Sequence, residues 1–435
     1  MSLSSLECVV EKMKRLGAVK VYFKLLRNND NSKQQIYFGS SFDVLMVFPH
    51  GSLYSGGITS SGPMFKASVK LAWLDPNSDA LSTAPGAQLI LYPKYPEVRL
   101  SGFLRGSANA PRELMQPPTL KQRQLREGQY RCMVLGVCSD DVVMTSVYSW
   151  SDVVTLDALK LISSGDAESI AGVFYALKSA GRDSRAELLS KLKEINRLGA
   201  IAPRLYGADS RDYDAPNAPG YTLESLFGIK PNGRSDPDFM DWELKTHSSG
   251  PVTLMTPEPD QGIYKDNLEL FFELYGYETD ERRDFNGRHM TGVRSEKSGL
   301  TLTMVGYDAA RGELVDPDGS FLLLDDVGNI AAGWSFSKLL THWSRKHAKT
   351  AYVSYKRNSA NGLVTYGPDV YLCTGTDLKL FLKALFDGVI YYDPGINMKR
   401  TVSGGWKSKK RSQFRVAFRN LDKLYESYEV LDLMF

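Results

Sequence analysis

Over the first 155 residues the apolar positions come in short runs. VKVYFKLLRNND, QQIYFGSSFDVLMVFP, KASVKLAWLD, AQLILYP, EVRLSGFL, QYRCMVLGVC and VVMTSVYSW are rich in Val, Ile, Leu, Tyr and Phe, with Pro, Gly, Asn and Asp between them. Such runs predict β-strands joined by turns, and many short strands of this kind predict an all-β domain, closed or half open as a barrel, over residues 1–155. A short helix is expected over 3–16. The pattern then turns helical. LDALKLISS, AESIAGVFYALKSA and SRAELLSKLKEINRLG read as helices, with 156–180 a helical linker and Ser184 with Glu187 a capping box for the last. From 181 to 435 the two patterns mix. YTLESLFG predicts a short helix with Thr222 as its cap, PVTLMT a strand, and DNLELFFELYGY a helix or a mixed segment. LTLTMVGYD, GELVDPDG and SFLLLDD suggest an antiparallel group. The expectation is an α/β domain with a mixed central sheet.

Composition adds little. A chain of 435 residues with 43% hydrophobic content suits two packed domains. A net charge of +3 neither demands nor excludes nucleic acid, so local charge must decide. The cysteines Cys8, Cys132, Cys138 and Cys373 contain no CxxC pair, which argues against a zinc site or a disulfide framework. No signal-peptide pattern and no run long enough to span a bilayer is apparent, so a cytoplasmic protein with no membrane partner is expected.

The candidate chemistry lies in 220–248, GYTLESLFGIKPNGRSDPDFMDWELKTHS. Side chains alternate along an extended strand. Asp241, Glu243 and Lys245 would then face one way, and Trp242, Leu244 and Thr246 the other. Carboxylate oxygens suit Mg²⁺, which polarises a phosphodiester and acidifies bound water. Asp238 and Glu243 are the expected metal ligands, and Lys245 would orient the water or offset charge on phosphorus. Asp236 or Asp241 could substitute for Asp238. His247 could contact phosphate, but none of the five histidines is expected to bind metal. A Glu-x-Lys pair alone is usually a solvated sheet edge. A second such pattern, Pro368-Asp369 with Asp377 and Lys379, precedes LFLKALF, which reads as a helix capped by Thr376. Residues two apart diverge on a helix, so that pair cannot share a metal.

Gly-Tyr-Thr-Leu-Glu-Ser-Leu-Phe-Gly-Ile, then Pro-Asp, then Glu-Leu-Lys-Thr resembles the catalytic segment of the MvaI/BcnI restriction endonucleases. These are grouped with the mismatch-repair nickase MutH in the PD-(D/E)xK superfamily. The resemblance covers roughly 180–435 and implies a MutH-like nuclease fold over 181–435. It implies that Glu224 supports the site from a helix, with Asp238, Glu243 and Lys245 as its remaining members. Residues 22–30, with Gln35-Ile36-Tyr37 and Phe48-Pro49, are similar to the start of the EcoRII-type N-terminal effector domain, a DNA-binding pseudobarrel that grips the major groove between two arms. The first arm would be 24–30, carrying Lys24, Arg27, Asn28 and Asn29; the second would hold Arg99, Arg105 and Arg112. Arg and Asn are residue types that read guanine and adenine edges bidentately.

Residues 397–415 carry seven Lys or Arg and no acid. Charge runs are usually solvated, but here Arg411, Gln413 and Arg415 alternate with Ser412, Phe414 and Val416. One strand face would present base-reading side chains, and the loop with Lys409 and Lys410 would neutralise phosphates. The two resemblances imply a Type II, specifically Type IIE, restriction endonuclease. It would be a monomer that binds double-stranded DNA at a short CC-W-GG-type site, uses a second site copy as effector, and has a DNA methyltransferase as its counterpart in the host. A MutH-like repair nickase and a non-catalytic DNA-binding regulator are the alternatives.

Overall fold

The structure is a computed structural model that describes residues 5–29, 33–40, 44–75, 78–178, 183–205, 211–230, 237–279, 281–344, 349–401 and 404–435. The chain divides into two compact units, Met1–Gly181 and Arg182–Phe435.

Two sheets build the first unit. The larger runs Ala167–Ile170, Phe174–Leu177, Ala18–Arg27, Tyr130–Cys138, Val142–Tyr148, Lys70–Leu74 and Leu81–Ala84 in spatial order. The smaller runs Ile36–Gly39, Glu97–Ser101, Gln88–Tyr92, Gly62–Ser68 and Tyr54–Thr59. One pair is parallel, Lys70–Leu74 with Val142–Tyr148. The helices Leu6–Arg15 and Val153–Ser164 pack on the larger sheet, burying Leu6, Val9, Met13, Val154 and Ala158 with Phe23, Val134 and Met144.

The stretch 156–180 corrects the expectation of a helical linker. Its first part is the end of the packed helix Val153–Ser164. Its second part, read as helical, is the hairpin Ala167–Ile170 with Phe174–Leu177, which extends the larger sheet. Ala171 and Gly172 turn the chain with positive φ. Phe174 then inserts against Phe38 and Phe48, at centroid separations of 5.0 and 4.8 Å. Tertiary aromatic packing overrides a weak local helical pattern.

In the second unit a four-stranded sheet runs Glu243–His247, Lys349–Arg357, Val364–Thr374, Ser427–Asp432. Its first pair is parallel and the others antiparallel, so it is mixed. The helices Ser184–Arg197 and Ala218–Leu226 cover one face. There Leu188, Leu192, Ile195 and Leu223 bury Trp242, Leu244, Ala351, Val353, Val370 and Leu372. Smaller sheets complete the unit. Thr301–Val305 and Ser320–Leu324 pair antiparallel as expected, but their third strand is Ile330–Ser335, and Glu313–Leu314 pairs with Tyr307–Asp308 in a separate sheet; Leu268–Tyr275 is a helix capped by Asn267.

Three helix starts lie away from the expected cap, two of them earlier in the chain and one a residue later. Asp183, not Ser184, accepts the first free amides of its helix, from Arg185 and Ala186. Asp377, not Thr376, caps Leu378–Phe386. The third helix begins at Ala218 after Asn217, which leaves Thr222 inside it, its hydroxyl bonded to the Arg204 backbone. A carboxylate accepts from exposed amides at least as well as a hydroxyl, and a sequence with Asp before Ser offers both. Asp183→Ala should therefore lower the stability of the second unit by about 1 kcal/mol, while Ser184→Ala should change it little. Urea denaturation of the two variants distinguishes them.

Candidate active site

The four residues between Asp238 and Glu243 form a closed turn. Phe239 and Trp242 exchange both backbone hydrogen bonds, at 2.9 and 2.8 Å, and Met240 takes a positive φ of 54° to make the reversal. The bridge is isolated, and Asp238 immediately precedes it while Glu243 follows it. The Leu244 N–H donates to Asp238 Oδ2 at 2.9 Å, which fixes that carboxylate against the strand.

Alternation along Glu243–His247 separates charge from core. Trp242 and Leu244 are buried under the two helices. Glu243 and Lys245 emerge on the other face, where Lys245 Nζ donates to Glu243 Oε1 at 3.2 Å. Glu243 is 5% exposed. A layer of hydroxyls lies beside it. The parallel register sets Thr350 beside Glu243 and Tyr352 beside Lys245. The Tyr352 and Tyr425 hydroxyls are 2.9 Å apart, and Tyr425 donates to Thr350 at 3.4 Å. Burial pushes both phenols well above their ordinary range, with the Glu243 charge a smaller cause, so both stay neutral donors. Sequence reading missed this layer, because Thr350 and Tyr352 come from a strand more than one hundred residues away.

The other candidates separate. Glu224 lies half-buried on Ala218–Leu226, the helix packed on the apolar face. Asp241 is occupied by Lys349 at 2.5 Å, and Asp236 lies outside the described residues. His247 stacks on Phe418 at 3.6 Å and gives its Nδ1 proton to the Ser248 carbonyl. Burial holds its pKa below the ordinary value, so it serves packing rather than as a charged phosphate contact. Asp377, as a helix cap, is removed from any metal role. Among the described residues no group of three or more His, Cys, Asp or Glu converges on one point. The carboxylates that could hold a hard cation are Asp238 and Glu243. That suits Mg²⁺, which takes one or two carboxylates and completes its shell with water and phosphate oxygens.

In the C-terminal segment Ser412, Phe414 and Val416 are buried, as the alternation requires. Their neighbours differ from one another. Arg415 is tied to Asp393 at 2.7 Å and to the Pro251 carbonyl at 3.0 Å. Gln413 is buried; with its amide oxygen turned to the Arg411 guanidinium it accepts from Nε at 3.0 Å and Nη2 at 3.3 Å. Arg411 is the exposed one, held in place by Gln413. Lys409 is exposed, and Lys410 leans over the Tyr264 ring.

In the first unit a cleft of about 830 Å³ gathers Lys24, Arg27, Asn29, Gln35, Tyr37, Arg99 and Arg131, with no acid among its lining residues. Arg27 and Asn29 are exposed. Arg99 is braced by Gln35 and Glu97. Asn28 spends its amide on the Arg126 and Gln129 carbonyls, which makes it a strut of the arm. Arg112 donates to the Ser107 carbonyl, and Arg105 is exposed; both lie outside the cleft lining. Arg131, which sequence reading missed, is buried against the Leu114 and Arg27 carbonyls. Lys24 is 7% exposed, between the Tyr37 and Phe174 rings. Burial, helped by Arg27, lowers its pKa to about 8. An unfolded lysine keeps its proton to about 10.4, so the unfolded chain binds more protons between these values and stability rises with pH across that window. The side-chain signal of Lys24 in an NMR titration should have its midpoint near 8, and Lys24→Met should abolish the gain in stability above pH 8. A midpoint near 10.4 would contradict the burial.

Three comparisons bear on this arrangement. No curated protein matches the chain. Solved structures that match include, each at 16% identity and over 58% of this chain, restriction endonuclease MvaI in complex with its cognate DNA substrate (100% of that chain, TM-score 0.46) and MvaI in the absence of DNA (99% of that chain, TM-score 0.35). The profile of the MvaI/BcnI restriction endonuclease family matches residues 189–425, a span that holds Glu224, Asp238, Glu243, Lys245 and the Arg411–Gln413 pair. The chain belongs to the MvaI/BcnI restriction endonuclease family.

Proposed function

We propose that the chain is a Type IIE restriction endonuclease. The second unit hydrolyses double-stranded DNA at a short CC-W-GG-type site, and the first binds another copy of that site as effector. The observation that supports the nuclease reading is the tight turn that ties Asp238 to the Leu244 amide, next to Glu243 and its partner Lys245. Asp238 and Glu243 would hold Mg²⁺, which when bound supplies Lewis-acid polarisation of the phosphate and a more acidic water. Lys245 is placed to orient the attacking water and to offset charge that builds on the phosphate. Glu243 in turn fixes the Lys245 ammonium. Attack in line with the bond to the 3′ oxygen leaves a 5′-phosphate and a 3′-hydroxyl, with the proton of water passing to the leaving oxygen through solvent.

The effector role rests on the cation-lined cleft of the first unit and on the likeness of 22–30 to an EcoRII-type pseudobarrel. Arg27, Asn29 and Arg99 are the residues best placed there to meet base edges, and Lys24 to meet a phosphate. Arg411, buttressed by Gln413, is the corresponding base reader of the nuclease unit. The protein would act as a monomer, cutting one strand and then the other, in a cytoplasm whose DNA a methyltransferase protects.

Plasmids carrying zero, one or two CCWGG sites, incubated with Mg²⁺ or with EDTA, test the reading. The expected result is Mg²⁺-dependent double-strand cutting, faster with two sites or with an added site-bearing oligonucleotide. Cutting at another fixed sequence would overturn the specificity alone. Nicking of one strand only would favour a repair nickase, and tight binding without cleavage a regulator.

A further inference from the structure

The basic segment of the second unit is a folded sheet face. Four strands, Tyr277–Thr279, Arg282–Asn286, Gly395–Arg400 and Trp406–Lys409, pair in that spatial order and antiparallel throughout. Their inward side carries Phe285, Ile396 and Met398, all buried, and Arg283, which lies over the Trp406 ring at 4.7 Å. On the outward side Arg282 is directly opposite Lys399, and Lys399 is directly opposite Lys407. Two residues along, Lys409 opposes Asn397, which opposes Asp284. Lys297 joins this side, over the Tyr277 ring at 4.3 Å.

Like charges at directly opposed positions destabilise a sheet, yet here three cations occupy one row. Arg282 is relieved by Asp284 at 2.6 Å. Lys399 and Lys407 are exposed, and among the described residues neither forms an ion pair. Strands lie about 4.8 Å apart, so the row spans roughly 10 Å. A DNA strand places a phosphate every 3.4 Å or so along the duplex axis, which makes the row long enough for about three phosphates.

From this we infer that the outward face of the sheet, through Arg282, Lys399, Lys407, Lys409 and Lys297, is a binding surface for the sugar–phosphate backbone of double-stranded DNA, distinct from the base-reading Arg411. It deepens the nuclease reading and rests on it. Such a surface binds any sequence equally and sets orientation rather than specificity.

The test is fluorescence anisotropy of the full chain, with Ca²⁺ in place of Mg²⁺, on two labelled 24-bp duplexes, one with and one without a CCTGG site, over a range of KCl concentrations. Each phosphate contact contributes about 0.9 to the slope of log K against log [salt]. Lys399→Ala/Lys407→Ala should flatten that slope by about 1.8 and weaken binding to both duplexes by the same factor. Lys399→Arg/Lys407→Arg should keep the wild-type slope. The alanine pair should also melt no lower than wild type, because it removes repulsion rather than a contact. An unchanged slope, or weakening confined to the site-bearing duplex, would overturn the inference while leaving the nuclease reading intact. Absence of duplex binding by the wild-type chain would overturn both.

Discussion

The hydrogen bond from the Leu244 amide to Asp238, with the two-bond turn between Phe239 and Trp242, is the constraint on which the site depends. With it, Asp238 is held against the strand that carries Glu243, while Trp242 and Leu244 of that strand are locked into the core. Bringing such groups together raises electrostatic energy, and the structure offsets it locally. Lys245 lies beside Glu243, Lys349 takes up Asp241, and the neutral Tyr352–Tyr425–Thr350 hydroxyls line the buried side. A hard cation would find its oxygen ligands already oriented, the condition under which electrostatic catalysis needs least rearrangement.

The same tension between stability and binding recurs away from the site. Lys24 is held in a cleft where burial lowers its pKa toward neutrality, and Lys399 faces Lys407 across a pair of strands. Each opposed like-charge pair costs a few tenths of a kcal/mol up to about 1 kcal/mol. Cations kept in unfavourable surroundings are consistent with an anionic partner that supplies the missing charge. On the proposed reading that partner is the DNA backbone.

Much of this was legible in the sequence where the signal is local. The strand character of 18–27, 130–138 and 142–148, the alternation at 414–416 and the mixed elements of the second unit follow from side-chain period alone. So does the side-by-side placement of Glu243 and Lys245. What escaped depends on partners distant in the chain. The segment 167–177 has helix-compatible residues, and only Phe38 and Phe48 make it a hairpin. Asn28 and Arg415 have the chemistry of base readers, yet they serve as struts because carbonyls at 126, 129 and 251, and the Asp393 carboxylate, lie within reach. The row of cations at 282, 399 and 407 joins segments more than one hundred residues apart, so composition could mark the segment as basic but not set it as a face.

On the proposed reading Asp238, Glu243 and Lys245 perform hydrolysis and are not needed for grip. The direct measurement compares Asp238→Ala and Lys245→Ala with wild type in two assays: cleavage of a site-bearing duplex with Mg²⁺, and binding of the same duplex with Ca²⁺. Loss of a group that stabilises the transition state slows reaction by about 10²–10³, so cleavage should fall at least that far while affinity stays within a few-fold. Near-wild-type cleavage by either variant would contradict the account.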